Sequence, residues 1–209
     1  MSDDARSERA ARPGGRTART RAAVLDAVLG ELEEAGYGGL TMERVAERSG
    51  VHLATLYRRW RNAEGLIVDV LGEIGTREVP IPDTGSLKDD LRALASEIAG
   101  LYARPRYRAL VEGMVAAAVR SPAAAAALSE VFAGRNRLAG RIVERAAERG
   151  ELPPGTDAAA VIAAVGAPFY YRLLIQRGQV DDALAATAAA AAHAAALSGA
   201  FTPPAVQDP

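Results

Sequence analysis

The chain of 209 residues contains no cysteine and only two histidines, His52 and His193. The absence of cysteine excludes a disulfide framework and a thiolate metal site, and it fits a reducing compartment. Two histidines so far apart in sequence do not indicate a zinc site. We therefore predict a protein that holds no metal and no cofactor.

Aromatic residues are scarce at 5%, whereas hydrophobic residues make up 49% and many of them are alanine. A core built from such residues requires helices that pack closely through small side chains. No segment shows the sustained alternation of β-branched residues that is typical of a strand. The predicted fold class is all-α, with about nine helices.

Neither a secretion signal nor a membrane span is predicted. The N-terminus is polar and rich in arginine, without the apolar centre of a signal peptide. The longest apolar run, 158–171, is short for a membrane span, contains Gly166 and Pro168, and stops at Arg172. We expect a cytoplasmic protein with no membrane partner.

The net charge of −1 does not exclude a nucleic-acid partner, because the positive charges are clustered. Residues 1–21 carry six arginines against three acidic residues, and residues 52–61 carry three arginines and no acidic residue. A DNA groove requires a basic surface where it is contacted and not a basic protein as a whole.

The segment 41–66 predicts a helix-turn-helix. Met42 and Val45 have the spacing of a buried helix face, and Thr41 stands where an N-cap is expected. Gly50 permits the positive φ of a sharp turn. Leu56 then anchors a second helix whose other face is polar and cationic. In this motif the second helix enters the major groove of DNA.

Several side chains of the second helix are candidates for DNA contacts. Ala54 suits a thymine methyl group, Thr55 a base or a phosphate, and Arg58 a guanine. In the alternative interpretation, Thr55 only completes the turn and Arg58 and Arg59 form a solvated surface. For Tyr57 we favour a phosphate contact over core packing. The candidate DNA-binding residues are Thr41, His52, Leu53, Ala54, Thr55, Tyr57, Arg58, Arg59 and Arg61.

Upstream of this segment, Arg16, Arg19 and Arg21 form either a minor-groove or backbone arm or an ordinary solvated tail. Pro80, Pro82 and Gly85 mark the main break in the helical pattern. We therefore divide the chain into a flexible basic tail (1–16), a helix-turn-helix DNA-binding domain (17–62), a connecting helix (63–79), a C-terminal dimerisation and ligand-binding domain (80–200) and a flexible tail (201–209).

These features resemble the TetR family of bacterial transcriptional regulators. The resemblance covers 17–71 and rests on Gly50-Val51, the run Thr55-Leu56-Tyr57, Trp60, and Glu64 with Leu66. In the C-terminal part, the number of helices and the run 169–174 (FYYRLL) look like one subgroup of that family. The resemblance implies a homodimer that binds a palindromic operator in double-stranded DNA. It also implies that the C-terminal helices enclose a small-molecule effector, which releases the operator.

Two positions depart from the family pattern. Ala63 stands where a lysine usually begins the fourth helix, which removes a phosphate contact that Arg61 can replace. His52 stands where a small hydroxyl residue usually caps the second helix of the motif.

The C-terminal helices contain most of the scarce aromatic residues, and tyrosines between helices suit a mostly apolar pocket with a few polar groups. Pro168 predicts a kink that opens space beside it. The alternative is ordinary core packing. The candidate pocket residues are Tyr102, Tyr107, Met114, Phe132, Phe169, Tyr170, Tyr171 and Arg172.

The last helix is nearly all alanine, and small side chains permit the close approach of a dimer seam. High helix propensity alone would also explain its composition. The candidate interface residues are Val161, Val165, Leu184, Ala188, Ala192, His193 and Leu197.

The function predicted from the sequence is a homodimeric repressor released by a small, largely apolar effector. A regulator or activator without a small-molecule switch is the first alternative. A helical carrier or enzyme is the remote one, because no nucleophile–base pair, metal cluster or phosphate loop is found. Glu112 and Arg172 are candidates for a polar pair in a pocket, although their spacing in the sequence does not require them to meet.

Overall fold

The computed structural model describes residues 13–203, and in that range it contains nine α-helices, one π-helical segment and no β-strand. The all-α prediction is therefore confirmed. The helices are α1 (Pro13–Gly39), α2 (Met42–Ser49), α3 (Leu53–Trp60), α4 (Ala63–Glu78), α5 (Leu87–Ala103), α6 (Pro105–Ala118), α7 (Pro122–Glu148), α8 (Ala158–Tyr170) and α9 (Asp182–Leu197); the π-helical segment is Tyr171–Ile175.

Two glycines separate the first three helices. Gly36 has a φ of 65° and breaks the helical geometry of α1. The short piece of α1 that follows it leads into α2. Gly50 has a φ of 67° and ends α2 in the left-handed conformation that the turn requires. Thr41 caps α2, because its hydroxyl accepts a hydrogen bond of 3.2 Å from the backbone N–H of Arg44. The predicted helix-turn-helix geometry is present.

The N-terminal helices share one apolar core. α1 packs against α2, α2 packs against α3, and α4 contacts both α1 and α3. Val24, Val28, Val45, Leu56 and Leu66 are each fully buried in this core. The apolar stripe of α1 and the anchors of the motif therefore hold α3 in place and leave its other face free.

An ion-pair cluster fastens α2 to α1. Glu31 is 4% exposed and accepts hydrogen bonds from Arg44 and from Arg48, the latter at 2.8 Å. Arg48 also binds Glu34. The hydrogen bonds from Arg48 and Arg44 lower the pKa of Glu31 below its ordinary value. A buried carboxylate with two charged partners stabilises the fold only while it is ionised.

We expect Glu31→Gln to destabilise the protein by about 1–3 kcal/mol at pH 7, because it removes a charged acceptor from two buried hydrogen bonds. The lowered pKa of folded Glu31 means that its stabilisation is present above the unfolded pKa of about 4.3 and is lost as pH falls through the folded pKa. The difference between wild type and variant should therefore shrink in acid. Urea unfolding at several pH values measures it, with exposed Asp26→Asn on the same helix as the control.

The remaining helices form a second layer of packing. α9 lies against α5 and α8, and α7 lies against α4, α6 and α8. α1 packs against α6, and an ion pair of 2.9 Å between Glu33 and Arg106 joins the same two helices. The N-terminal and C-terminal parts therefore touch directly as well as through α4.

The loop between α4 and α5 is bound to the helices around it. Asp90 is fully buried and accepts hydrogen bonds from the backbone N–H of Thr84 at 2.6 Å and from its hydroxyl at 2.8 Å. Arg145 of α7 donates to the carbonyl of Pro82 and lies 3.3 Å from a carboxylate oxygen of Asp83. The break predicted at this loop is present, and its conformation is held by α5 and α7.

The described parts of the two predicted tails are more ordered than the sequence indicated. α1 begins at Pro13 and not at Thr17, and proline is favourable in the first turn of a helix. The carbonyl of Phe201 accepts a hydrogen bond of 2.9 Å from the backbone N–H of Asp157, so the chain is bound to α8 past residue 200. Residues 1–12 and 204–209 lie outside the described residues.

Candidate DNA-binding surface and cavity

Helix α3 has one buried face and one exposed face. Leu56 and Trp60 are buried, whereas Ala54, Tyr57, Arg58 and Arg59 are exposed. Leu53 and Thr55 are partly exposed near the start of the helix. This is the arrangement that a groove-binding helix requires, since its N-terminal side chains and its cations face away from the protein.

His52 occupies the N-cap position of α3 but makes no side-chain capping hydrogen bond. Its imidazole is exposed. At the other end, Arg61 adopts a φ of 63°, and its backbone N–H donates to the carbonyl of Tyr57 at 3.0 Å. The exposed side chains of His52 and Arg61 thus flank the helix, and their contacts with DNA stay predictions.

The hydroxyl of Tyr57 donates a hydrogen bond of 3.0 Å to the Glu43 carboxylate on α2. That bond raises the pKa of Tyr57 above its ordinary value. The Tyr57 side chain is 43% exposed, so it lies outside the core, as the sequence indicated. A phosphate contact by this hydroxyl would have to replace the bond to Glu43.

Trp60 packs in the core and also links α3 to α4. Its indole Nε1 donates a hydrogen bond of 2.9 Å to Asp69, and the guanidinium of Arg59 lies 4.9 Å from the centre of its ring. Asp69 accepts a second hydrogen bond, of 2.7 Å, from Arg21 of α1. One carboxylate of α4 therefore holds both the DNA-facing helix and the first helix.

Arg21 is paired within the protein, and its predicted contact with DNA, as part of a basic arm, stays a prediction. Its guanidinium binds Asp69 and Glu73 of α4, where the charge is neutralised by two carboxylates. These partners lie 48 and 52 residues away in sequence, so local patterns did not reveal them. Arg19 is exposed on α1, and the side chain of Arg16 lies outside the described residues.

A large cavity of about 1210 Å³ lies within the C-terminal part of the fold. Its walls come from α4, α5, α6, α7 and α8, with Arg21 of α1 at one side. The volume exceeds that of typical small-molecule pockets, which is roughly 300–1,000 Å³. The lining is mostly apolar and includes Leu94, Ile98, Leu110, Val111, Leu128, Ile162 and Leu174.

Five of the eight predicted pocket residues line this cavity, namely Tyr102, Tyr107, Met114, Phe132 and Tyr170. The ring of Tyr170 contacts Tyr102 and Phe132 edge to face, with ring centres 5.9 Å and 5.2 Å apart. The hydroxyls of Tyr102 and Tyr170 are hydrogen-bonded at 3.1 Å. Burial raises the pKa of both hydroxyls. They therefore act as neutral hydrogen-bonding groups.

Phe169, Tyr171 and Arg172 do not line the cavity. Phe169 is fully buried in the core, and Tyr171 is 57% exposed on the opposite side. Arg172 donates to Gln176 at 2.8 Å and to the carbonyl of Gln179 at 3.2 Å. Successive residues of a helix point about 100° apart, so three neighbours cannot all face one cavity.

The sequence did not single out Arg135, which the structure places in the cavity wall. Its Nη2 donates a hydrogen bond of 2.6 Å to the carbonyl of Val79, at the end of α4. Burial lowers the pKa of this guanidinium. The apolar stripes of α5 and α6 were detectable from their spacing, but a single arginine on an alanine-rich helix carries no such signal.

Four of the predicted interface residues lie inside the protein. Val161 and Val165 are fully buried, and Ala188 and Ala192 are 3% and 2% exposed. They fill the contacts of α8 and α9 with each other and with α5, so they are unavailable to a second chain. Leu184 and His193 are partly exposed, and Leu197 is 48% exposed.

Two further expectations concern membranes and polar clusters. The described residues include one segment, Ala158–Ile175, that is long and apolar enough by length and composition alone to cross a membrane. Its Val161, Ile162, Val165 and Phe169 are buried in the protein core.

Within residues 13–203 no group of three or more potential metal ligands is found. Glu112 binds Arg108 at 3.0 Å and does not meet Arg172.

A helix-turn-helix with an exposed cationic helix, joined through α4 to a helical domain with a large cavity that is open to solvent on one side, defines a DNA-binding transcriptional regulator. Within this class, the chain belongs to the TetR family. Residues 24–70 match the model for bacterial regulatory proteins of the tetR family. Residues 81–192 match the tetracyclin repressor-like C-terminal domain.

Individual relatives agree with this assignment. The chain is 37% identical to the HTH-type transcriptional regulator AqdR of Rhodococcus erythropolis over 151 residues, which is 72% of each chain. It is 30% identical to the uncharacterized HTH-type transcriptional regulator YdeS of Bacillus subtilis, over 78% of this chain and 82% of that protein. The crystal structure of the TetR family transcription regulator SCO0332 has 30% identity and a TM-score of 0.71, covering 84% of this chain and 97% of that one. The protein is therefore a transcriptional regulator and not an enzyme.

Proposed function

We propose that the protein is a homodimeric repressor that binds a palindromic operator and is released by a small, largely apolar effector. The observation that carries this proposal is the position of α4. This helix forms a wall of the cavity and also holds Trp60 of α3 through Asp69. A molecule in the cavity therefore lies next to the element that positions the DNA-facing helix.

The coupling follows from shared contacts along α4. Asp69 and Glu73 border the cavity, and both bind Arg21. Asp69 is also the hydrogen-bond partner of Trp60 at the end of α3. A ligand that binds better to a shifted α4 favours a different position of α3. It lowers operator affinity only by its differential affinity for the two states.

We place the dimer surface on the outward faces of α8 and α9. The exposed residues recur every three or four positions and are almost all small or apolar. They are Ala159, Ala163 and Ala167 on α8, Tyr171 at the start of the π-helical segment, and Asp182, Ala183, Ala186, Thr187, Ala190, Ala191, Ala194 and Leu197 on α9. Small side chains permit close packing, and two symmetric copies match a palindromic site. Such a regulator works in the cytoplasm, where bacterial DNA is accessible.

Selection of bound DNA from a random pool with the purified protein tests the DNA-binding part. We expect an enriched palindrome whose half-sites are centred roughly 10–10.5 base pairs, or a multiple of that spacing, apart. Affinity should fall steeply between about 50 and 200 mM salt, because phosphate contacts release counterions. A single enriched half-site would contradict the dimer, and the absence of any enriched sequence would contradict operator binding.

The switch is tested on the operator so obtained. Compounds that raise the melting temperature of the protein are added to the protein–operator complex, and we expect them to lower operator affinity. Compounds that bind without any effect on operator affinity would instead support a regulator without a small-molecule switch. A reporter gene behind the operator separates repression from activation.

A further inference from the structure

Arg135 is a partly exposed residue, but one of its guanidinium nitrogens is buried and lacks a hydrogen bond. Nη2 donates to the Val79 carbonyl, but Nη1 is buried and has no hydrogen-bond partner among residues 13–203. Within the same range no carboxylate lies within 4 Å of this guanidinium. A buried cationic donor without a partner raises the free energy of the folded protein, so we expect this nitrogen to have an acceptor that the protein does not supply.

The other arginines of the cavity wall are either paired with carboxylates or exposed to solvent, and Glu130 of the wall is exposed as well. Arg21 binds Asp69 and Glu73, and Arg77 binds Glu78 at 2.9 Å. Arg137 lines the cavity but is exposed to solvent. Arg135 therefore differs from these arginines in having a buried nitrogen that faces no protein acceptor.

Two tyrosine hydroxyls line the same cavity as Arg135. Tyr102 and Tyr170 share one hydrogen bond of 3.1 Å, in which one hydroxyl donates and the other accepts. The accepting hydroxyl keeps its own proton to donate to a further group. The charge of Arg135 is close enough to lower the pKa of both hydroxyls against the larger, opposite effect of burial. The cavity wall thus offers a cation and a neutral donor.

The rest of the described wall favours an apolar body. Leu94, Ile98, Leu110, Val111 and Ile162 are aliphatic, and no second unpaired buried cation lies among them. One cation with one hydroxyl donor matches a single negative charge spread over two oxygens, and arginine binds carboxylates in this way. A dianion such as a phosphate monoester would remain half neutralised.

We infer that the effector is an apolar monocarboxylic acid whose carboxylate binds Nη1 of Arg135, with its hydrophobic part in the aliphatic region of the cavity. This inference rests on the proposed function, because it specifies the ligand of the same cavity. The bound carboxylate would complete the hydrogen bonding of a residue that also holds the C-terminal end of α4 through Val79.

Isothermal titration with matched pairs of compounds tests the inference. The probes are decanoate, 4-phenylbutyrate and 2-naphthoate, each compared with its uncharged methyl ester. For wild type we expect the acid of at least one pair to bind about tenfold or more tighter than its ester, since a hydrogen bond to a charged group contributes about 1.5–3 kcal/mol. Arg135→Leu should abolish that preference, and Arg135→Lys should retain part of it.

Arg137→Leu is the matched control, because Arg137 lies on the same helix and lines the same cavity but is exposed. It should keep the preference for the acid. Operator binding by each variant without probe shows that it is folded. Esters that bind as well as acids, a preference that survives in Arg135→Leu, or failure of every acid to bind would each overturn the inference.

The outcomes also separate this inference from the proposed function. Operator binding without binding of any acid refutes the carboxylate and leaves the regulator intact. Acids that bind through Arg135 but leave operator affinity unchanged support the carboxylate site and refute the switch.

Discussion

A glutamate in place of Ala54 is expected to weaken operator binding by about 100-fold or more. Ala54 is the second residue of α3 and is exposed on the face that we assign to the major groove. A carboxylate there would be brought against the negative charge of DNA, and like charges in contact cost several kcal/mol. Electrophoretic mobility shift or fluorescence anisotropy with the selected operator measures the loss.

Ala54→Glu should weaken operator binding without destabilising the folded protein. The first turn of α3 contains no acidic residue, and a negative charge near a helix N-terminus is stabilising. The melting temperature of Ala54→Glu should therefore equal or exceed that of wild type.

Two control variants distinguish the effect of a negative charge at position 54 from the effect of added side-chain volume and from that of the protein's net charge. Ala54→Gln adds similar volume without charge and should weaken binding less. Ala125→Glu adds the same charge at an exposed position of α7 and should leave operator affinity unchanged. Wild-type affinity in Ala54→Glu at the same salt concentration would show that α3 does not face DNA.

The second large effect concerns stability. Phe169→Ala should destabilise the protein by about 3–5 kcal/mol, because Phe169 is among the largest fully buried side chains and its removal leaves a cavity in the core. For a chain of this size, that loss corresponds to a decrease in melting temperature of about 6–20 °C. Thermal and urea unfolding monitored by circular dichroism measure both quantities.

Val119→Ala serves as the control, since Val119 is 82% exposed and its truncation should change stability by no more than about 0.5 kcal/mol. Phe169→Leu should lose less than Phe169→Ala because it leaves a smaller void. If Phe169→Ala instead kept wild-type stability and altered binding of the acid probes, Phe169 would belong to the ligand cavity.

Phe169 and Tyr170 show that the environment of each aromatic residue in α8 could not be predicted from the sequence. Both residues belong to a run of aromatic residues in an apolar helix, and composition treats them alike. Tyr170 lines the cavity, whereas Phe169 fills the core and Tyr171 lies on the surface. The rotation of α8 about its axis decides among these environments, and that rotation is set by packing against α7 and α9.

Arg21 and Arg135 illustrate the same limit for charged residues. An arginine in a basic N-terminal stretch resembles a DNA contact, yet Arg21 binds carboxylates about 50 residues away. Arg135 has no neighbours in sequence that mark it, and its importance follows only from the burial of Nη1. Ion pairs between distant segments and the desolvation of single atoms are properties of the folded chain.

The amino-acid sequence specified what depends on local interactions: the helical character of the chain, the cap at Thr41 and the turn at Gly50. Capping and left-handed turns involve residues only a few positions apart, so a short stretch of sequence encodes them. The tertiary structure alone decided which face of each helix is buried, which arginines are paired, and where the cavity lies. Those properties depend on long-range packing, in which residues distant in sequence share one environment.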